Sequence, residues 1–222
     1  MGCGVIRWWL EVRVVAGTEL WLIRHGETEW SLSGKHTSRT DLPLTAHGRQ
    51  RAVELGEYLA GTQFAAVLRS PMERARETCE IAGFGDAAVV DEGLREWDYG
   101  VFEGRTTKEI QAEIPGWSVW KDEIVGGETV GQVGVRADGV IDRALASAFS
   151  GPRSQDRDLG HASSGKVALF AHAHILRILA ARWVGLEARG GALFALGTGS
   201  VSVVGWERET RVVSHWNRGF EG

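Results

Sequence analysis

An apolar run, Leu20-Trp21-Leu22-Ile23, stops abruptly at Arg24, His25 and Gly26. Such a run suits a buried strand, and the glycine lets the chain turn sharply. Arg24 and His25 are therefore expected at the carboxyl end of a sheet strand, where open α/β sheets bind ligands. A neutral imidazole there can attack phosphorus while the neighbouring guanidinium holds the phosphate oxygens. The chemistry suggested is phosphoryl transfer through histidine. Three further islands carry matching groups. In Arg69-Ser70-Pro71-Met72-Glu73-Arg74-Ala75, Ser70 reads as a helix cap, with Pro71 in the first turn and Glu73 reaching back. The unpaired N–H groups of that helix would form an anion site. In Leu94-Arg95-Glu96-Trp97-Asp98-Tyr99-Gly100, acidic groups stand among large apolar ones, which would raise a carboxyl pKa enough for proton donation. The last island, Phe170-Ala171-His172-Ala173-His174, is another strand end carrying histidine.

The elements that would position these islands alternate. Strand-like runs recur at Leu20 to Arg24, Ala65 to Arg69, Ala87 to Val90, Val167 to Ala171 and Val201 to Trp206, with helical patterns between most of them. This predicts an α/β fold, a three-layer αβα sandwich whose mostly parallel central sheet has helices on both faces and an inserted helical lid segment. Thr45 caps a helix with Ala52, Val53, Leu55 and Leu59 on one side, and Arg74 and Thr78 share a face of the next. From 104 to 165 charges and glycines thicken. That lid-like insertion should lie over the sheet with helices at Lys108 to Glu113 and Val130 to Phe149, a loop near Gly126-Gly127, and a polar, mobile stretch from Ser150 to Gly165. Val201 to Trp206 and Arg211 to Trp216 read as a hairpin.

Residues 19–222 are expected to form one domain, preceded by a peripheral or artefactual extension, 1–18, in which Trp8 and Trp9 would be the anchors. The formal net charge of −4 argues against broad nucleic-acid binding but permits a local basic pocket. No apolar segment approaches the roughly 18 to 20 residues of a membrane span. The two cysteines, Cys3 and Cys79, form no framework, which fits a reducing, cytoplasmic setting. The expected partner is a small phosphorylated metabolite, with no nucleic acid and no membrane; a homodimer is compatible with the chain.

In this order, and with Asp41-Leu42-Pro43-Leu44-Thr45 among them, the islands resemble the histidine phosphatase superfamily, in the branch related to phosphoglycerate mutases, from Glu19 to Asn217. The resemblance implies that His25 is the nucleophile that becomes phosphohistidine and that Arg24 and Arg74 clamp the phosphate. It implies that His172 bonds a phosphate oxygen and that Glu96 is the proton donor, with Asp98 and Glu103 as competitors for that role. The family usually has glycine where this chain has Ala173 and Ser38, which puts loop geometry in question. Glu29-Trp30-Ser31, the run from Leu94 to Gly104 and Gly116-Trp117-Ser118-Val119-Trp120 resemble the acid and sugar-phosphate phosphatases, including the sedoheptulose-bisphosphatase type. The longer basic segment of true mutases is missing between Gly104 and Gly127. The expectation is a phosphomonoesterase; the alternative is a phosphoglycerate mutase or related phosphotransferase, and a non-catalytic phosphate-binding regulator ranks below both. Expected substrate contacts are Ser31, Lys35, His36, Thr37, Trp97 and Tyr99, with Trp117 and Trp120 as further walls; Lys35, His36 and Arg39 are candidates for a second anionic group. No cofactor is expected. Nor is a metal, since His172 and His174 lack an evident carboxylate or cysteine partner.

Overall fold

The computed structural model describes residues 17–150 and 165–219. The expectations for the segment at 1–16, with Cys3, Trp8 and Trp9, and for the polar stretch at 151–164 lie outside the described residues. Strands β1 (Glu19–Arg24), β2 (Ala66–Arg69), β3 (Ala88–Val90), β4 (Lys166–Ala171), β5 (Val201–Glu207) and β6 (Thr210–Arg218) form one sheet in the order β3-β2-β4-β1-β5-β6. The first four strands in that order run parallel, and β5 and β6 close the other side as an antiparallel hairpin.

Alternation along the strands decides the layers, because successive side chains point to opposite faces. Leu20 and Leu22 of β1 and Val167, Leu169 and Ala171 of β4 join a core shared with helices α5 (Val130–Ser150) and α6 (Ala173–Trp183). Ile23, Ala168 and Phe170 point the other way, toward Leu55 and Leu59 of α2 (Ala46–Leu59) and Cys79 of α3 (Glu73–Ile81). The result is the expected αβα sandwich. Short helices α1 (Glu29–Ser33) and α4 (Thr107–Glu113) complete the set. The stretch expected to lie over the sheet divides: α5 packs against the sheet and α6 as a layer helix through Val133, Ala137, Val140 and Ala144, whereas Ile110 of α4 and Trp117, Val119 and Ile124 of the loop after it reach the same core. None of the helices among the described residues is long and apolar enough to cross a membrane.

Four local expectations are corrected. Val53 is exposed, because it stands about 100° round the helix from buried Ala52. Ser70 does not cap α3. The helix starts at Glu73, with Pro71 outside it, and the Glu73 amide donates to Asp41 Oδ1 at 2.8 Å, so a distant aspartate occupies the helix end expected to receive an anion. Thr45, in contrast, caps α2 as expected, accepting from the Gly48 amide. The turn after β1 is tight. A Cβ on Gly26 would lie 2.6 Å from the Gly48 carbonyl oxygen, and one on Gly48 would lie 2.3 Å from that of Glu27. Glycine at both positions lets the start of α2 press against the strand end and fixes the direction in which His25 leaves the sheet.

Candidate active site

His25 continues the line of β1: its amide donates to the Ala171 carbonyl of β4, and its own carbonyl accepts from Gly199. The Gly26 amide donates to Thr78 Oγ1, which in turn donates to the Arg74 carbonyl, so α3 is tied to the turn that carries the histidine. His25 Nδ1 is 2.7 Å from the Gly26 carbonyl oxygen. A carbonyl can only accept, so Nδ1 carries the hydrogen and Nε2 keeps its lone pair. Burial and the nearby charges of Arg74 and Arg24 hold the His25 pKa well below the usual imidazole value, keeping the ring neutral.

Arg24, His25 and Glu96 line a cavity of about 430 Å³ together with Ser31, Lys35 and His36. Thr37 and Tyr99 also face it, so five of the six expected substrate contacts are brought together. Trp97 is the exception. It is fully buried, its Nε1 donates to the Glu128 carbonyl, and it lies beneath Trp120, which with Trp117 does form the wall. Arg24 donates through Nη1 to the Leu196 carbonyl, whereas its buried Nε has no partner. Burial lowers its pKa to about 10, so it remains a cation at neutral pH.

Glu96 is placed by α6. Its Oε1 accepts from the Trp97 and Ile175 amides, and its Oε2 accepts from the His174 amide, each at 3.0 Å. Burial alone would raise the carboxyl pKa. Hydrogen bonding from His174 outweighs it and holds the group well below the ordinary value. The expectation of a raised carboxyl pKa is overturned: a carboxylate accepting several amides at a helix start is favoured in its charged form. Its two competitors are otherwise engaged. Glu103 accepts from the Ser38 and Thr40 amides and from the Ser38 hydroxyl, and Asp98 pairs with Arg39. Ser38, unlike a glycine, thereby contributes a side-chain bond to its loop. Arg39 is mostly exposed and does not line the cavity; His36 does, but burial lowers its pKa to about 4 and leaves it neutral.

Arg74 and His172 lie behind His25 and do not line the cavity. The His172 and His25 ring centroids are 5.2 Å apart. Arg74 Nε donates to His172 Nδ1 at 3.1 Å, so His172 carries its hydrogen on Nε2, which donates to Ser70 Oγ at 2.8 Å. The Arg74 fork donates to the carbonyls of Thr40, Thr37 and Ser38. Ser70, expected as a helix cap, is instead the partner of His172. Sequence reasoning also missed Arg177, which lines the cavity one turn after His174 on α6. The i, i+3 spacing from His174 was the available signal, hidden because α6 otherwise reads as a core helix.

An αβα sandwich with a cationic, histidine-bearing cavity at the carboxyl edge of its parallel strands is the arrangement of an α/β phosphatase. Residues 20–219 match the model of the histidine phosphatase superfamily, branch 1, and the chain belongs to that family. An acid phosphatase of Mycobacterium tuberculosis is 37% identical over 199 residues, covering 89% of this chain and 91% of the relative. A sedoheptulose 1,7-bisphosphatase of Saccharomyces cerevisiae is 37% identical over 192 residues, 74% of this chain and 67% of the relative. The solved structure of an open reading frame product from M. tuberculosis superposes with a TM-score of 0.80 at 35% identity, over 91% of this chain and 98% of that one.

Proposed function

We propose that this protein hydrolyses small phosphorylated metabolites, sugar phosphates or phospho-acids, through a phosphohistidine on His25 Nε2. The observation that carries the proposal is the fixed tautomer of His25: the Gly26 carbonyl leaves the Nε2 lone pair unprotonated on a residue that lines the cavity beside Arg24, whose buried Nε has no partner. An unmet buried donor costs roughly 1–3 kcal/mol, which a phosphate oxygen would recover. A charged oxygen is also a stronger acceptor than a carbonyl or hydroxyl. For a bound phosphate to engage the two groups behind His25, one Arg74 Nη must leave the loop carbonyls and the His172 Nε2–H must leave Ser70; the charged oxygen favours that exchange, after which the two would stabilise the equatorial oxygens.

Nε2 attacks phosphorus, the N–P bond forms and the ester P–O bond breaks. Because Glu96 is a carboxylate in the empty site, the proton for the leaving oxygen enters with the substrate monoanion, passes through Glu96 and ends on the alcohol. Water then attacks the phosphohistidine, the N–P bond breaks, the proton passes to Glu96 and leaves with the released phosphate, and His25 recovers its lone pair. The guanidinium groups supply the positive charge this sequence requires. Two cysteines without a disulfide framework suit a reducing, cytoplasmic compartment.

Quenched-flow reaction with a ³²P-labelled substrate tests the proposal. The expected result is an alkali-stable, acid-labile phosphoenzyme that forms and decays at catalytically competent rates with excess chelator present. Absence of label on the protein during turnover would remove the intermediate, and efficient conversion of 3-phosphoglycerate to 2-phosphoglycerate without phosphate release would establish the mutase instead.

The two protonation states set the pH dependence. His25 must be neutral, and its lowered pKa keeps it so until well below pH 6.5. The substrate must retain one proton, which is lost near pH 6. For an alkyl phosphate, kcat/KM is expected to peak on the acid side of neutrality and to fall about tenfold per pH unit above the phosphate pKa. A profile rising from pH 6 to 8 would contradict the proton route.

A further inference from the structure

Arg177 has no part in the chemistry above, yet its guanidinium lines the same cavity as His25. Neutral groups hold it in place. Nε donates to the Gly191 carbonyl at 3.1 Å, Nη2 donates to that of Ala192 at 3.3 Å, and the guanidinium carbon lies 4.6 Å from the Trp120 ring centroid. Among the described residues no carboxylate lies within ion-pair distance of it, whereas Arg136, Arg143 and Arg182 pair with Glu128, Asp91 and Asp138. A half-buried cation clamped by carbonyls and an aromatic face, with no counter-ion, is a poor structural element and a good anion receptor. Burial already lowers its pKa, a cost that a bound anion would reverse.

The charge balance of the cavity points the same way. Lys35 also faces it, with Nζ 5.6 Å from the Trp30 ring centroid. Glu96, the carboxylate in the lining, is already held by three amides. Arg177 stands on α6 one turn after His174, whose amide holds Glu96, and lines the cavity with Lys35.

We propose that Arg177, assisted by Lys35, binds a second anionic group of the substrate, phosphate or carboxylate, so that doubly anionic metabolites are preferred over singly anionic ones. This inference rests on the phosphatase reading. It also moves the second-anion subsite away from His36, which is neutral, and from Arg39, which lies outside the cavity.

The test compares kcat/KM for matched probes in the wild-type protein, Arg177→Gln and Arg177→Lys. Fructose 1,6-bisphosphate against fructose 6-phosphate gives the phosphate arm, and 3-phosphoglycerate against glycerol 3-phosphate the carboxylate arm. The expected result is a wild-type preference for the doubly anionic member of at least one pair. Arg177→Gln should reduce that preference about ten- to hundredfold, the loss expected for a charge-assisted hydrogen bond, mainly through KM. Arg177→Lys, which keeps the charge but not the fork, should restore part of it. Equal wild-type values within both pairs, or a loss shared equally by both members, would overturn the subsite while leaving the phosphatase reading intact. Failure to release phosphate from any probe would instead remove that reading.

Discussion

Replacing His25 by alanine is expected to reduce phosphate release by on the order of 10⁶-fold, to background in a steady-state assay, and to remove the labelled phosphoenzyme. The effect is large because the nucleophile has no understudy. His172 sits 5.2 Å away between ring centroids, but its Nδ1 accepts from Arg74 and its Nε2 carries a hydrogen directed at Ser70. His174, also in the cavity lining, is tied through Nδ1 to the Tyr99 hydroxyl at 2.7 Å. The fold should tolerate the change, since the backbone of residue 25 is held by Ala171 and Gly199 whatever its side chain. Circular dichroism and thermal melting separate a chemical loss from a structural one. Near-normal turnover in a folded His25→Ala protein would end the proposed mechanism.

Glu96→Gln should lower kcat/KM for an alkyl phosphate by roughly 10²- to 10⁴-fold, while hydrolysis of 4-nitrophenyl phosphate falls far less. A nitrophenolate leaves without a proton; an alkoxide does not. Glutamine also carries a structural penalty, because Glu96 accepts from three backbone amides through two oxygens. A side-chain amide has one oxygen, so its NH₂ must confront at least one N–H and leave it unsatisfied, at a cost of about 1–3 kcal/mol. A lower melting temperature is therefore expected alongside the kinetic defect. Destabilisation acts on both substrates alike, so the alkyl-to-aryl ratio isolates the proton transfer. An unchanged ratio would assign Glu96 to positioning α6 and the cavity wall.

The two central strands were legible because both are short, apolar and bounded by charge or histidine, and because buried parallel strands have few alternatives to pairing. Leu20 to Ile23 and Val167 to Ala171 announced the two central strands, and Thr45 announced its helix through a bond that spans only three residues. Contacts between remote segments were not visible. Asp41 meets the Glu73 amide from 32 positions away, and Ser70 meets His172 from 102. Each residue has an ordinary local explanation, and the local explanation misled for Ser70. Trp97 and Trp120 are alike in sequence; only packing decided that one lies beneath the cavity and the other forms its wall.

The sequence by itself determined the αβα layers, the placement of Arg24 and His25 at a strand end, and the set of residue types available for phosphoryl transfer. These follow from periodicity and turn chemistry, which operate over a few residues. Tertiary structure alone decided the protonation of Glu96, the tautomers of His25 and His172, the withdrawal of Arg74 behind the cavity and the appearance of Arg177 within it. Those properties depend on burial and on hydrogen bonds between segments distant along the chain. A carboxyl group among apolar residues reads as an acid until three amides from two different segments converge on it and make it a carboxylate.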